Sequence, residues 1–140
     1  MKKGLIIKMK ECIFCKIGKK EISHNLIYED KEFTAFLDIR PMNPGHLLVI
    51  PKKHYRWVWD IPKVGKYFEF VKKVEKGIEK ALKPLRVIML VFGEEVNHAH
   101  VHLVPRFEND GHGITITLGK FANISKDEMK KIAGKIRKNI

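Results

Sequence analysis

Asn97-His98-Ala99-His100-Val101-His102-Leu103-Val104-Pro105-Arg106 is the stretch on which the reading of this chain turns. In an extended strand, side chains at i, i+2 and i+4 point to one face. His98, His100 and His102 therefore form a row of three imidazoles, while Ala99, Val101 and Leu103 point the other way, into a core. Such alternation pins the register, because a slip by one residue would bury the histidines and expose the apolar set. Three of the chain's seven histidines fall within five positions, a concentration that points to chemistry rather than to a merely polar strand face. Aligned imidazoles can ligate a metal. Alternatively, one of them can displace a leaving group from phosphorus as a nucleophile while its neighbours hydrogen-bond the phosphate oxygens.

Outward from this stretch, the pattern predicts strands and two helices. Residues 25–30 and 32–39 read as two strands around an Asp30-Lys31 turn, being rich in aromatic and aliphatic residues. Residues 40–45, with Asn43-Pro44 and Pro44-Gly45, read as a loop, and residues 46–50 as a strand stopped by Pro51. Val64, Tyr67, Phe68, Val71, Val74, Ile78 and Leu82 recur at spacings of three and four, which predicts a helix over 64–82, with Pro84 just beyond it. Residues 86–92 read as a buried strand, 93–97 as a short connection, 98–104 as the histidine strand and 114–118 as a further alternating strand. A final helix over 126–138 is announced by Ser125 and Glu128 in a capping box, with Met129, Ile132, Ala133 and Ile136 on its apolar face. Together these elements predict an α+β fold with an antiparallel sheet of about five strands, a long helix and a C-terminal helix.

The 140 residues suit one domain, and 44% apolar with 31% charged residues is a globular composition rather than a disordered one. No apolar run approaches the roughly 20 residues of a membrane span. The opening MKKGLIIKMK lacks the apolar core of about 7–15 residues that a secretory signal needs. A cytoplasmic protein is expected, with residues 1–10 as a basic extension. The net charge of +12 comes from 23 Lys and only 5 Arg, scattered in pairs such as Lys19-Lys20, Lys52-Lys53 and Lys72-Lys73. Basic surfaces attract polyanions. Without clustered Arg or interleaved aromatics, however, this one reads as a solvated surface with at most weak, non-specific affinity for nucleic acid. Cys12 and Cys15 are the only cysteines. A lone C-x-x-C in a non-secreted chain points to metal or redox chemistry, and the redox reading wants a thioredoxin-like βαβ context that is missing.

The order of motifs resembles the histidine triad (HIT) superfamily of nucleotide hydrolases and transferases. The resemblance is carried by Cys12-Ile-Phe-Cys-Lys-Ile17, Ile27-Tyr-Glu-Asp30, Phe36-Leu-Asp-Ile39, Pro44-Gly-His-Leu-Leu-Val-Ile-Pro-Lys-Lys-His54, the triad and Pro105-Arg106. It implies a HIT domain over residues 11–106, with 107–140 as a C-terminal extension carrying a strand and a helix. It further implies that His100 is the nucleophile toward the α-phosphorus of a purine nucleoside phosphoramidate or related nucleotide, passing through a nucleotidyl-histidine. By the same resemblance His102 hydrogen-bonds the phosphate, His46 faces the triad from the adjacent strand, and Asp38 accepts the ribose hydroxyls. Phe14, Ile17, Ile22, Phe36 and Ile39 match an apolar base pocket. Cys12, Cys15, His54 and His98 match the four ligands of a structural zinc, and a homodimer is implied. Alternatives are a dinucleoside polyphosphate hydrolase, or a nucleotide-binding regulatory protein with little turnover. Gly93-Glu-Glu-Val-Asn97 departs from the small hydroxyl or amide donor that many relatives carry there. Its carboxylates read as facing solvent or a cationic leaving group. His24 and His112 match no motif and read as surface histidines.

Overall fold

Asp30 closes the first hairpin. Its Oδ1 accepts from the amides of Glu32 and Phe33, each at 2.8 Å, so the carboxylate replaces strand partners at the turn. In the computed structural model, which describes residues 11–140, this turn joins β1 (Leu26–Glu29) to β2 (Phe33–Leu37). The basic extension expected over 1–10 lies outside the described residues. A short helix α1 (Ile13–Gly18) precedes the hairpin, and β3 (Leu47–Pro51) follows it. A single 3₁₀ turn (Val58–Asp60) then leads into the long helix α2 (Val64–Leu82). After it come β4 (Arg86–Leu90), β5 (Val101–Arg106) and the last helix α3 (Lys126–Arg137). The strands form one antiparallel sheet in the order β1-β2-β3-β5-β4. The fold is the α+β architecture that the sequence predicts.

Period-two alternation places two different layers on the two faces of the sheet. Phe33, Ala35 and Leu37 of β2, Leu47 and Val49 of β3, and Val101 and Leu103 of β5 all point toward α2. There they meet Tyr67, Phe70, Val71, Val74, Ile78 and Ala81, joined by Met129, Ile132, Ala133 and Ile136 of α3. Each fully buried aliphatic side chain in this layer, such as Ile78, contributes about 1.5–3 kcal/mol. The intervening residues, Phe36, Leu48 and Ile50, face the other side and pack with Cys12, Phe14 and Ile17 of the N-terminal segment. Because both faces are covered, β2 and β3 are buried at every position. The histidines occupy this second face.

Helix α2 ends where Lys83 takes a left-handed conformation and its amide bonds the Glu79 carbonyl at 3.0 Å. Pro84 follows and cannot continue a helix. At the start of α3, Ser125 Oγ accepts from the Glu128 amide at 3.1 Å, which is the Ser125 half of the capping box that the sequence predicts.

Two strand expectations need correction. Residues 86–92 do not form a buried strand: β4 stops at Leu90 and is one of the two edge strands, with Met89 and Val91 exposed. The cause is topological, since β5 inserts between β3 and β4 and leaves β4 one neighbour. Residues 114–118 form no strand, and Ile114 and Leu118 are exposed. Gly111 and Gly119 on either side adopt positive φ. No core lies under the segment, so its alternation has nothing to bury against. Among the described residues no helix is long and apolar enough to cross a membrane.

Candidate functional site

His98 and His100 arrive just before β5, and His102 lies within it opposite Leu48 of β3. The sequence row is thus preserved, but only its last member sits in the regular ladder. Ala99 still turns to the α2 side and is buried, and its amide is held by the Tyr55 carbonyl at 2.6 Å.

The Cys pair lies against the first histidine. Cys12 Sγ is 3.3 Å from His98 Nδ1, Cys15 Sγ is 3.5 Å from the same nitrogen, and Cys15 Sγ is 3.3 Å from His54 Nδ1. All four ligand atoms lie within 4.8 Å of one another. A zinc-sized ion at about 2.3 Å from sulfur and about 2.05 Å from nitrogen would set tetrahedral S···N edges of about 3.5 Å. The donor set therefore fits a tetrahedral metal. The protonation states agree. His98 Nε2 lies 2.7 Å from the Pro51 carbonyl, which can only accept, so Nε2 carries the hydrogen and Nδ1 presents its lone pair to the thiols. This is the outer-shell arrangement that orients metal-binding imidazoles. Burial, and then the neighbouring Cys12, push the Cys15 thiol up to about 12, a penalty on ionisation that a bound cation removes. Cys12, Cys15, His54 and His98 could hold a metal ion.

His100 follows at two residues' distance and is buried. Its Nδ1 lies 2.7 Å from the His98 carbonyl. That acceptor fixes the hydrogen on Nδ1 and leaves a lone pair on Nε2. Burial lowers its pKa, with the hydrogen bond to the His98 carbonyl, and then Asp38 and Glu95, pulling it partly back. The ring is therefore neutral near pH 7, and two carboxylates stand close enough to favour positive charge developing on it. Phe14 packs edge-on against it, ring centroids 5.1 Å apart.

A second chain of imidazoles fixes His102. The Met42 amide donates to His46 Nδ1 at 3.0 Å, so the hydrogen of neutral His46 is on Nε2. That nitrogen is 2.9 Å from His102 Nδ1, which must accept. The hydrogen of His102 is then on Nε2. Burial holds both rings neutral, lowering His46 to about 4 and His102 to about 3. Asp38 Oδ2 stands 3.5 Å from His46 Nε2 and 3.9 Å from His102 Nδ1, and its Oδ1 accepts from the Arg40 amide at 2.8 Å. By distance alone, Asp38, His46 and His102 could also surround a cation. The tautomers argue against it, because His46 Nε2 is a donor as long as Met42 occupies Nδ1.

Of the expected base-pocket residues, Phe14, Ile17, Ile22 and Phe36 come together in one cluster beside His100. Ile39 does not join them and is 81% exposed. The pre-triad loop lies on an indole: a Cβ built at Gly93 would meet the Trp57 ring at 2.0 Å.

Sequence reasoning missed the polar clip behind this site. Buried Asn43 donates to the Pro105 carbonyl at 2.8 Å and to Asp110 Oδ2 at 2.9 Å. Asp110, its side chain 5% exposed, also accepts from Arg106 Nε at 2.8 Å and from the amides of Phe107 and His112 at 3.1 and 3.0 Å. The turn signal Asn109-Asp110-Gly111 was the available clue. His112 is not the free surface histidine expected, since both of its ring nitrogens are engaged. His24 is half-buried too, its Nδ1 2.7 Å from the Ile22 carbonyl and its ring edge-on to Phe36.

Comparison with known proteins agrees with this geometry. The HIT domain model matches residues 19–109. An uncharacterised HIT-like protein of Methanocaldococcus jannaschii is 42% identical over 88% of this chain and 99% of its own length. The adenosine 5′-monophosphoramidase of Saccharomyces cerevisiae is 33% identical over 88% of this chain and 84% of its own. The crystal structure of a zinc-bound histidine triad family protein from Mycobacterium smegmatis superposes with a TM-score of 0.76, at 26% identity and 91% coverage of both chains. With its three histidines along one sheet face and a family match spanning β1 to β5, the chain belongs to the HIT family.

Proposed function

We propose that this protein is a nucleotide hydrolase or transferase acting at the α-phosphorus of purine nucleoside phosphoramidates, with His100 as nucleophile. The observation that carries the reading is the 2.7 Å contact of His100 Nδ1 with the His98 carbonyl, which leaves Nε2 unprotonated and nucleophilic. The lone pair on Nε2 forms the N–P bond, the P–N bond to the leaving amine breaks, and the amine departs with a proton taken from solvent, which the attacking water of the second step returns. The resulting imidazolium is favoured by the Nδ1–H···O=C bond and by the carboxylates of Asp38 and Glu95. The Nε2–H of His102 donates to a phosphate oxygen, and His46 keeps that hydrogen in place. Water then attacks the same phosphorus, regenerates His100 and releases the mononucleotide. Asp38 is the acceptor for the ribose hydroxyls, and Phe14, Ile17, Ile22 and Phe36 form the apolar side of the base site. The name of the yeast relative supports the phosphoramidate class.

The metal in this reading is zinc, held by Cys12, Cys15, His54 and His98; two thiolates and two imidazoles in a tetrahedron suit that ion. When bound, it supplies structural support, tying the N-terminal segment to the peptide that positions His100. Two free thiols suit a reducing, cytoplasmic compartment. The proposal includes a homodimer, supported by exposed Leu85, Met89 and Val91 beside the edge strand β4; light scattering on the purified protein tests it. The activity is tested by comparing kcat/KM for adenosine 5′-phosphoramidate and for diadenosine polyphosphates. Preference for the former supports the proposal. Preference for the latter replaces the leaving group with a second nucleotide, and binding without turnover leaves a regulatory protein.

A further inference from the structure

His112 stands outside the cluster that the mechanism uses, yet it is joined to it through Met42. The Thr117 amide donates to His112 Nδ1 at 2.9 Å, so the ring's hydrogen is on Nε2. That nitrogen is 3.0 Å from the Met42 carbonyl. The Met42 amide, on the other side of the same residue, donates to His46 Nδ1 at 3.0 Å. Met42 is therefore held from both ends by imidazoles. Among the described residues, His112 provides the one hydrogen bond to its carbonyl.

The two ends have different consequences. If the Met42 amide turns away, His46 Nδ1 loses its donor and the ring is free to take the other tautomer. His46 Nε2 would then present a lone pair to His102, His102 would place its hydrogen on Nδ1, and its Nε2 would become an acceptor. An acceptor facing a phosphate oxygen is repulsive, and the stabilisation of the charged oxygen is lost. The segment that delivers His112 has its own anchors. Asp110 accepts the His112 amide, Arg106 donates to the Gly113 carbonyl at 2.7 Å, and the Ala122 amide bonds the Pro41 carbonyl at 2.8 Å. Residues 110–122 are thus strapped across the loop that carries Met42.

We propose that His112 is a positioning residue: by holding the Met42 carbonyl, it keeps the Met42 amide on His46 and so maintains His102 as a donor at Nε2. Its effect on rate rests on the proposed role of His102, whereas its effect on the tautomer of His46 does not.

The test compares wild type, His112→Ala and His112→Gln by nitrogen-15 NMR of the histidine rings and by turnover of adenosine 5′-phosphoramidate. Gln keeps an amide donor near the Nε2 position. In the Ala variant, we expect a fraction of His46 with its hydrogen on Nδ1, and kcat lowered about tenfold with KM nearly unchanged, the rate equivalent of one net hydrogen bond. In the Gln variant, both should return toward wild type. A folded Ala variant whose His46 keeps the wild-type tautomer would overturn the proposal, as would a Gln variant in which the tautomer shifts as far as in Ala. If the Ala variant does not fold, the Gln variant alone decides, its tautomer retained or lost. If wild type turns over no nucleotide, the proposed function falls while the ring spectra still decide the role of His112.

Discussion

The ring of His100 reaches back two residues along its own chain and donates through Nδ1 to the backbone carbonyl of His98, 2.7 Å away. The ring of His98 is itself one of the four candidate metal ligands. The residue that fixes the tautomer of His100 is therefore the residue that a metal would immobilise.

Loss of the metal should reach His100 by this route. Elemental analysis of protein purified without added metal is expected to give one zinc per chain, and Cys12→Ala should lose it. The melting temperature of that variant should fall by roughly 5–10 °C, more than an ordinary surface change causes. Metal-free protein of unchanged stability would reduce Cys12 and Cys15 to ordinary core thiols.

Removing the proposed nucleophile should separate chemistry from binding. His100→Ala is expected to lower kcat/KM for adenosine 5′-phosphoramidate by about a thousandfold or more, with AMP affinity within a few-fold of wild type. Activity within about tenfold of wild type would remove His100 from the mechanism.

Stability should fall on the acid side through His46 and His102. Burial holds them at about 4 and about 3 when folded, against about 6.5 when unfolded. The unfolded chain therefore takes up protons that the folded chain refuses, so their contribution is full above about pH 6.5 and is lost as pH falls toward their folded values. Asp38 has the opposite sign, because burial raises its carboxyl. Between pH 7.5 and 5 the histidines should cost roughly 2 kcal/mol each. Urea midpoints across that range check it, and the double variant His46→Gln, His102→Gln should give the flatter profile.

The clip behind the site should matter for stability. Asp110→Ala removes the acceptor of Arg106, Asn43 and two amides and should destabilise by about 2–4 kcal/mol. These hydrogen bonds hold the Asp110 carboxyl well below the usual carboxylate range, so Asp110→Asn should also be weaker than wild type. A urea midpoint for Asp110→Ala equal to that of wild type would contradict the argument.

What the sequence made legible was whatever repeats with a period. Ala99, Val101 and Leu103 alternate with the histidines, so the row and its facing were readable; α2 was readable from its spacing of three and four. Cys12, Cys15, His54 and His98 were readable as a set through motif order, although 86 residues separate Cys12 from His98. Besides the Asn43–Asp110 clip, three features escaped. The edge position of β4 depends on where β5 inserts, which no local pattern records. The alternation over 114–118 has no layer to bury against. His112 acts through the backbone of Met42, 70 residues away, and hydrogen bonds to main chain leave no mark on the partner's identity.

The contact of Trp57 with Gly93 has an optical consequence. The chain contains two tryptophans: Trp59 is 81% exposed, while Trp57 is 38% exposed and lies under the backbone of the pre-triad loop. Trp59 has the surroundings of a solvent-exposed indole, whereas the Trp57 ring is packed against the backbone at Gly93 and its surroundings change if that backbone moves. A nucleotide that moves residues 93–97 will therefore shift the intrinsic fluorescence without any label, and Trp57→Phe will silence the change while Trp59→Phe keeps it. Any displacement of the pre-triad loop is thus open to readout from the protein's own indole.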